Sequence, residues 1–221
     1  MPIKTLVIGA SGGIGTALVE RCRKDGEVVG LSRSDDRLDV TDEASIGRAL
    51  SGIEGPFDRV FIATGILTAK RGKPEKKLGD CKPDELSSLF AVNATGPLLV
   101  LKHLMPKLDR DHPVKIGVLS ARIGSIGDNG LGGWYAYRAS KAALNQFLRT
   151  AAIELKRSHK QATLVALHPG TVSTPFTADF QDHHSTDEPA TAAGNLVSTL
   201  DARDPDDTGT FWDQNNQPIE W

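Results

Sequence analysis

One short loop constrains this chain more than any other stretch. Residues Lys4 to Ile8 read Lys-Thr-Leu-Val-Ile, the apolar, β-branched run of a buried parallel strand. Gly9-Ala10-Ser11-Gly12-Gly13-Ile14-Gly15 follows at once, and Thr16 to Cys22 then reads as a helix. Strand, glycine-rich turn and helix, in that order, are the context of a dinucleotide-binding turn. Glycines let the backbone turn tightly and approach a pyrophosphate. The N–H groups and dipole of the helix start hold the phosphate charge. The spacing places glycines at Gly9, Gly13 and Gly15, with Ser11 and Ile14 between them. It implies a doubly wound α/β sheet with helices on both faces. Gly9, Ser11, Gly13, Ile14 and Gly15 are the expected pyrophosphate cradle.

A second strand, Glu27-Val28-Val29-Gly30-Leu31, ends in Ser32-Arg33-Ser34. At this strand tip an acidic residue bonds a free ribose 2′-hydroxyl, whereas arginine accommodates a 2′-phosphate. Arg33 can make charge-assisted, bidentate bonds to phosphate. The tip itself carries no acid, although Asp35 and Asp36 follow closely. The reading favours NADP(H) over NAD(H).

Tyr137-Arg138-Ala139-Ser140-Lys141 lies in a helix-like run. Tyr137 and Lys141 are about one helical turn apart, so both side chains leave one face. Phenols ionise near pH ~10, and a neighbouring ammonium is expected to lower that value. The pair makes a proton donor. Further upstream, Asn93 precedes Pro97 by four residues. Proline returns no N–H to the Asn93 carbonyl, so the helix either kinks there or stops near Asn93 and restarts.

Together these motifs resemble the short-chain dehydrogenase/reductase family, over essentially the whole chain. Asp39-Val40 is similar to the pair the family places beside the adenine. Ala63-Thr64-Gly65, after a central strand over Phe57 to Ala63, stands where the family often has Asn-Ala-Gly. Val92-Asn93-Ala94-Thr95-Gly96 matches the helix carrying the family's asparagine. Pro169-Gly170-Thr171-Val172-Ser173-Thr174 matches the loop facing the nicotinamide carboxamide. The segment from Leu119 to Tyr137, with the terminal Pro218-Ile219-Glu220-Trp221, looks most like the C-factor-like and sniffer-like branch.

The resemblance implies one domain over residues 1–221, with about seven strands in the order 3-2-1-4-5-6-7. It implies hydride exchange between NADP(H) and a small carbonyl or alcohol substrate. Tyr137 would be the general acid, and Lys141 would hold the nicotinamide ribose. Asn93 would position a relay water. Gly65, Pro169, Gly170, Val172 and Thr174 would line the cofactor site.

The serine departs from the family pattern. Aligned on Gly124, Ala121 occupies the place where relatives carry a catalytic serine, and Ser120 stands one residue early. Strand alternation would turn Ser120 to the other face, unless a bulge re-aims it. Ser125 is a second candidate. A cofactor-binding regulatory or signalling protein with little turnover is therefore the alternative reading.

Net charge is −2, which suggests no nucleic-acid partner. No apolar run is seen to approach the ~20 residues of a membrane span. The first strand begins at once, leaving no room for a signal peptide, and Cys22 and Cys81 lack metal or redox spacing. A cytoplasmic protein without a metal is expected. Lys70 to Lys82 reads as a polar surface loop, and residues 176–188 as a short substrate lid. Ala139, Ala143, Phe147, Ala151 and Leu155 run beside Ser140, Leu144, Leu148 and Ala152 on one helix. That wide stripe could serve the sheet alone, or also a homodimer or homotetramer contact.

Overall fold

The first strand, β1 (Thr5–Ile8), is fully buried, as its β-branched sequence requires. Around it the computed structural model builds one parallel sheet. Residues 2–70, 72–177 and 186–221 are described. After β1 come α1 (Gly13–Cys22), β2 (Val28–Leu31), the short α2 (Arg33–Asp36), α3 (Glu43–Ser51) and β3 (Arg59–Ile62). Then follow α4 (Pro83–Phe90), α5 (Gly96–Leu104), β4 (Val114–Leu119) and α6 (Tyr135–Ser158). The chain ends with β5 (Ala162–His168), α7 (Pro189–Asp201) and β6 (Phe211–Asp213).

The sheet order is β2-β1-β3-β4-β5-β6, and every pairing is parallel. This is the expected doubly wound order with six strands, not seven. The outermost strand is absent among the described residues because the chain turns away after β2. Ser32 caps α2 by accepting from Asp35 N–H, and Arg37 is left-handed at φ 55°. Leu38 N–H then returns to Ser32 O at 3.1 Å and Asp39 N–H to Ser45 Oγ at 2.9 Å. Those donors no longer serve a strand ladder.

Alternation along the strands feeds two layers. Leu6, Ile8, Val60, Ile62, Ile116 and Val118 pack against α3, α5 and α6. Val7, Phe61, Val165 and Leu167 pack against α1 and α7. On α6 it is the Ser140, Leu144, Leu148 and Ala152 row that is buried, with Leu155. Ala143, Phe147 and Ala151 are half-buried at its flank.

The helical path through Pro97 is continuous. A widened turn, Ala91–Thr95, joins α4 to α5, and Gly96 N–H reaches back five residues to Ala91 O. That wider register fits a proline that has no N–H to return. The joined run Pro83–Lys107 is 25 residues long, and an 18-residue stretch of it has mean hydropathy 1.2, enough by length and composition alone to cross a membrane. Length and composition are all that qualify it, and 44% of that stretch is buried within the fold. Within this fold, Ala94, Val100, Leu101 and Leu104 of the run lie in the core.

Candidate active site

The site lies where the strands end, in one cavity of about 720 Å³. At its floor, β1 delivers the glycine loop. Gly9 has φ +88°, and a Cβ there would stand 2.9 Å from Ala63 O. Only glycine suits both constraints. A Cβ on Gly13 would stand 2.6 Å from Thr174 Cγ2, so the turn and the loop after β5 close on one another through a missing side chain. α1 begins after Gly12 with no side-chain cap and no acid in its first turn. Its first N–H groups are therefore open to an anion. Ser11, Gly13, Ile14, Gly15, Gly65, Pro169, Gly170, Val172 and Thr174 all line the cavity, whereas Gly9 shapes the turn beneath it.

The expected catalytic pair comes from the first turns of α6. Tyr137 and Lys141 are both buried and both line the cavity. Lys141 Nζ donates to Leu119 O at 2.9 Å and sits 6.0 Å from the centre of the Tyr137 ring. Burial pushes the Tyr137 phenol above its ordinary range. The expected lowering by Lys141 is thus not what the geometry yields: desolvation of the phenolate outweighs the ammonium. Burial also pulls Lys141 down from 10.5 to about 8.

Asn93 enters through its side chain. Its Oδ1 accepts from Ile66 N–H at 2.7 Å, and its Nδ2 donates to Ile66 O at 2.8 Å and Ser140 Oγ at 3.0 Å. Ser140 Oγ in turn donates to Tyr137 O at 2.9 Å. One asparagine therefore ties the loop after β3 to the turn of α6 that carries Tyr137.

The serines divide as strand alternation suggests. Ser120 borders the cavity, but its hydroxyl donates to Asn145 Oδ1 at 2.5 Å on the α6 side. Ser125 is not in the lining, and its Oγ accepts from Asp128 N–H at 3.1 Å. Ala121 lines the cavity too, packed beside Tyr137.

The adenosine-side residues lie apart from the lining. Arg33 is exposed at the start of α2, while Asp35 and Asp36 fold back on Ser32 at 2.9 and 2.8 Å. Asp39 accepts from Thr41 through its N–H and hydroxyl, bonds that hold its carboxyl below the usual range. Val40 is buried against the α5 start.

Residues that the sequence reading did not assign to the site complete the wall: Thr64, Leu67, Ile123, Trp134 and His168 belong to it, together with Phe176, the first residue of the expected lid. Burial, aided by Arg122, holds His168 down to about 4, so its ring is neutral at ordinary pH. Thr64 Oγ1, His168 Nδ1 and Gln214 Oε1 are buried without a partner. Gln214 lies beside Gly170, 2.8 Å from where its Cβ would be. Orphaned polar atoms around an uncapped helix start fit a polar cofactor such as a nicotinamide dinucleotide. The loop Lys70 to Lys82 is less exposed than its composition suggests, since Pro74 and Glu75 are buried. Of the expected lid, residues 178–185 lie outside the described residues. Among the described residues there is no metal-binding cluster, and both cysteines are free.

The family pattern for short chain dehydrogenases matches residues 37–185, and the chain belongs to that family. It is an NAD(P)-dependent oxidoreductase of the short-chain type. It is 29% identical, over 98% of both chains, to a 1-hydroxy-2-glutathionyl-2-methyl-3-butene dehydrogenase of Rhodococcus sp. strain AD45. It is 31% identical to the C-signal protein of Myxococcus xanthus, over 65% of this chain and 83% of that one. A Burkholderia multivorans short-chain dehydrogenase/reductase solved with bound NADP superposes with a TM-score of 0.82, at 28% identity and full coverage of both chains.

Proposed function

We propose that this protein reduces an aldehyde or ketone to an alcohol with NADPH, using Tyr137 as the proton donor. One observation carries the reading: Tyr137 and Lys141 line the same cavity as the Gly13-Ile14-Gly15 turn. When bound, the reduced nicotinamide supplies the hydride to the carbonyl carbon. This chain's own residues do the rest. The Tyr137 hydroxyl passes its proton to the carbonyl oxygen. Its raised affinity for that proton keeps it a neutral donor until the alkoxide forms. Lys141, held by Leu119 O, places positive charge beside the ring and offers donors to the ribose. Asn93 and Ser140 fix the Tyr137 turn. Ser11, Gly13, Ile14 and Gly15 would hold the pyrophosphate. Arg33, exposed at the β2 tip, favours the 2′-phosphate over a free hydroxyl.

A second reading has one observation behind it. Ala121 removes a hydroxyl donor from the carbonyl site, and the loss of such a donor costs about 10²–10³ in rate at comparable sites. A chain so weakened could act mainly as an NADPH-responsive signalling protein. Loss of NADPH absorbance with a panel of aldehydes, ketones and quinones tests the two, with NADH run in parallel. Turnover favouring NADPH supports the reductase. NADPH binding without turnover on any member of the panel supports the second reading.

A further inference from the structure

The backbone entering α6 is strained at a bulky residue. Gly132 and Gly133 have φ +65°, and Trp134 continues the left-handed path at φ 52°. Glycine adopts that region freely, but tryptophan does so at a cost. Such strain persists where surrounding contacts over-determine the conformation. Here they do. Trp134 N–H donates to Glu75 O at 2.6 Å, and Trp134 O accepts from Arg138 N–H at 2.8 Å. The Arg138 guanidinium reaches Gly133 O at 3.1 Å and Ile123 O at 3.2 Å. The buried Glu75 carboxylate accepts from Ala136 N–H at 3.3 Å.

The strain places an indole in the cavity wall. The Trp134 and Phe176 rings each meet the Tyr137 ring edge to face, at 6.2 and 6.1 Å between centroids. Leu67, Ala121 and Ile123 complete this end of the cavity. Among the described lining residues the one charged side chain is Lys141, and it is bonded to Leu119 O. An anionic substrate finds no arginine here. A flat aryl group finds two aromatic faces beside the proton donor, the arrangement in which aromatic contacts add to simple burial.

We propose that Trp134, with Phe176, is the specificity-determining element of the site and selects uncharged carbonyl compounds whose carbonyl is attached to an aryl ring. The strained left-handed backbone is what aims the indole. This inference rests on the reductase reading for its chemistry, but not for its test.

Two variants separate specificity from folding. Trp134→Gly deletes the indole and relieves the strain, whereas Trp134→Phe keeps an aromatic face. The probes are benzaldehyde and cyclohexanecarbaldehyde, similar in size but flat and puckered. The wild type is expected to favour benzaldehyde about tenfold in kcat/KM, the scale of one good aromatic contact. Trp134→Gly should bring that ratio close to one. Trp134→Phe should keep most of it. Benzyl alcohol and cyclohexylmethanol, titrated calorimetrically into the NADPH complex, in which neither can accept hydride, give the same ratio without turnover. Binding with the aryl preference but no reduction would sink the reductase reading and leave the aromatic selection standing. An unchanged ratio in Trp134→Gly, loss of the ratio in Trp134→Phe, or no binding of either alcohol would overturn the proposal.

Discussion

At the N-terminal ends of the strands, a buried arginine is fully answered. At the C-terminal ends, buried polar atoms are left waiting. Arg59, only 2% exposed, grips Asp201 at 2.6 and 3.0 Å and Asp25 at 3.0 Å, joining β3 to α7 and to the turn after α1. Across the sheet, Thr64 Oγ1, His168 Nδ1 and Gln214 Oε1 have no partner, and Lys141 is buried with only a carbonyl for company. Among the described residues, Thr5 Oγ1 and, just past α7, Arg203 Nε are also without a hydrogen-bond partner. The difference teaches where each end invests its polar groups. One end is completed by folding. The other is completed by what binds there.

The comparison can be broken from either side. Arg59→Ala should leave two carboxylates facing a cavity and cost about 3 kcal/mol, a fall of roughly 6–12 °C in melting temperature for a chain of this size. Turnover per folded molecule at low temperature should be unchanged. A drop in turnover without a drop in melting temperature would show that the two ends are not separable.

At the site end the sign reverses. Lys141 is held at about 8 against an ordinary 10.5. Between those values the unfolded chain binds the proton that the folded chain has released. Wild-type stability should therefore rise with pH across that window, and the penalty is fully present below it. Lys141→Met should be more stable than wild type at neutral pH by about 2 kcal/mol, allowing for the lost bond to Leu119. The advantage should fade as pH climbs through the window. Chemical denaturation at several pH values measures it, and a less stable variant at neutral pH would contradict the account.

The serines give the smaller effects. Ala121→Ser places a hydroxyl in the cavity and should raise kcat/KM about tenfold, below the full worth of a preorganised donor. Ser120→Ala should change kcat less than about threefold, because that hydroxyl is committed to Asn145 at 2.5 Å. Steady-state kinetics on the pair would expose a misassignment: the opposite ranking would make Ser120 the donor.

The N-terminal half of the site was legible because its chemistry is local. Gly9, Gly13 and Gly15 sit in a strand–turn–helix whose order is written along the chain. Tyr137 and Lys141 were legible for the same reason, one turn apart on one helix. The sheet order followed from the motif, but the missing edge strand did not, because Ser32, Asp35 and Asp36 divert the chain through side-chain bonds. Proline spacing alone left a kink and a stop-and-restart both open at Pro97; the structure resolves them as a continuous path through the widened turn Ala91–Thr95. Trp134 and His168 were invisible as site residues because each arrives from a different segment, whereas Phe176 was legible only as the start of the expected lid. Only Gly132-Gly133 hinted that the backbone before α6 takes an unusual path. Glu75, polar in a polar loop, gave no sign of burial, since its contacts lie across the chain at Trp134 and Ala136.

The central claim is that Tyr137 donates the proton in a site that otherwise binds without it. Tyr137→Phe isolates that hydroxyl. The variant should bind NADPH within about twofold of wild type by calorimetry and lose about 10²–10⁴ in kcat on the best carbonyl substrate. Turnover within tenfold of wild type, with NADPH still bound, would contradict the account and move the proton donor elsewhere in the cavity.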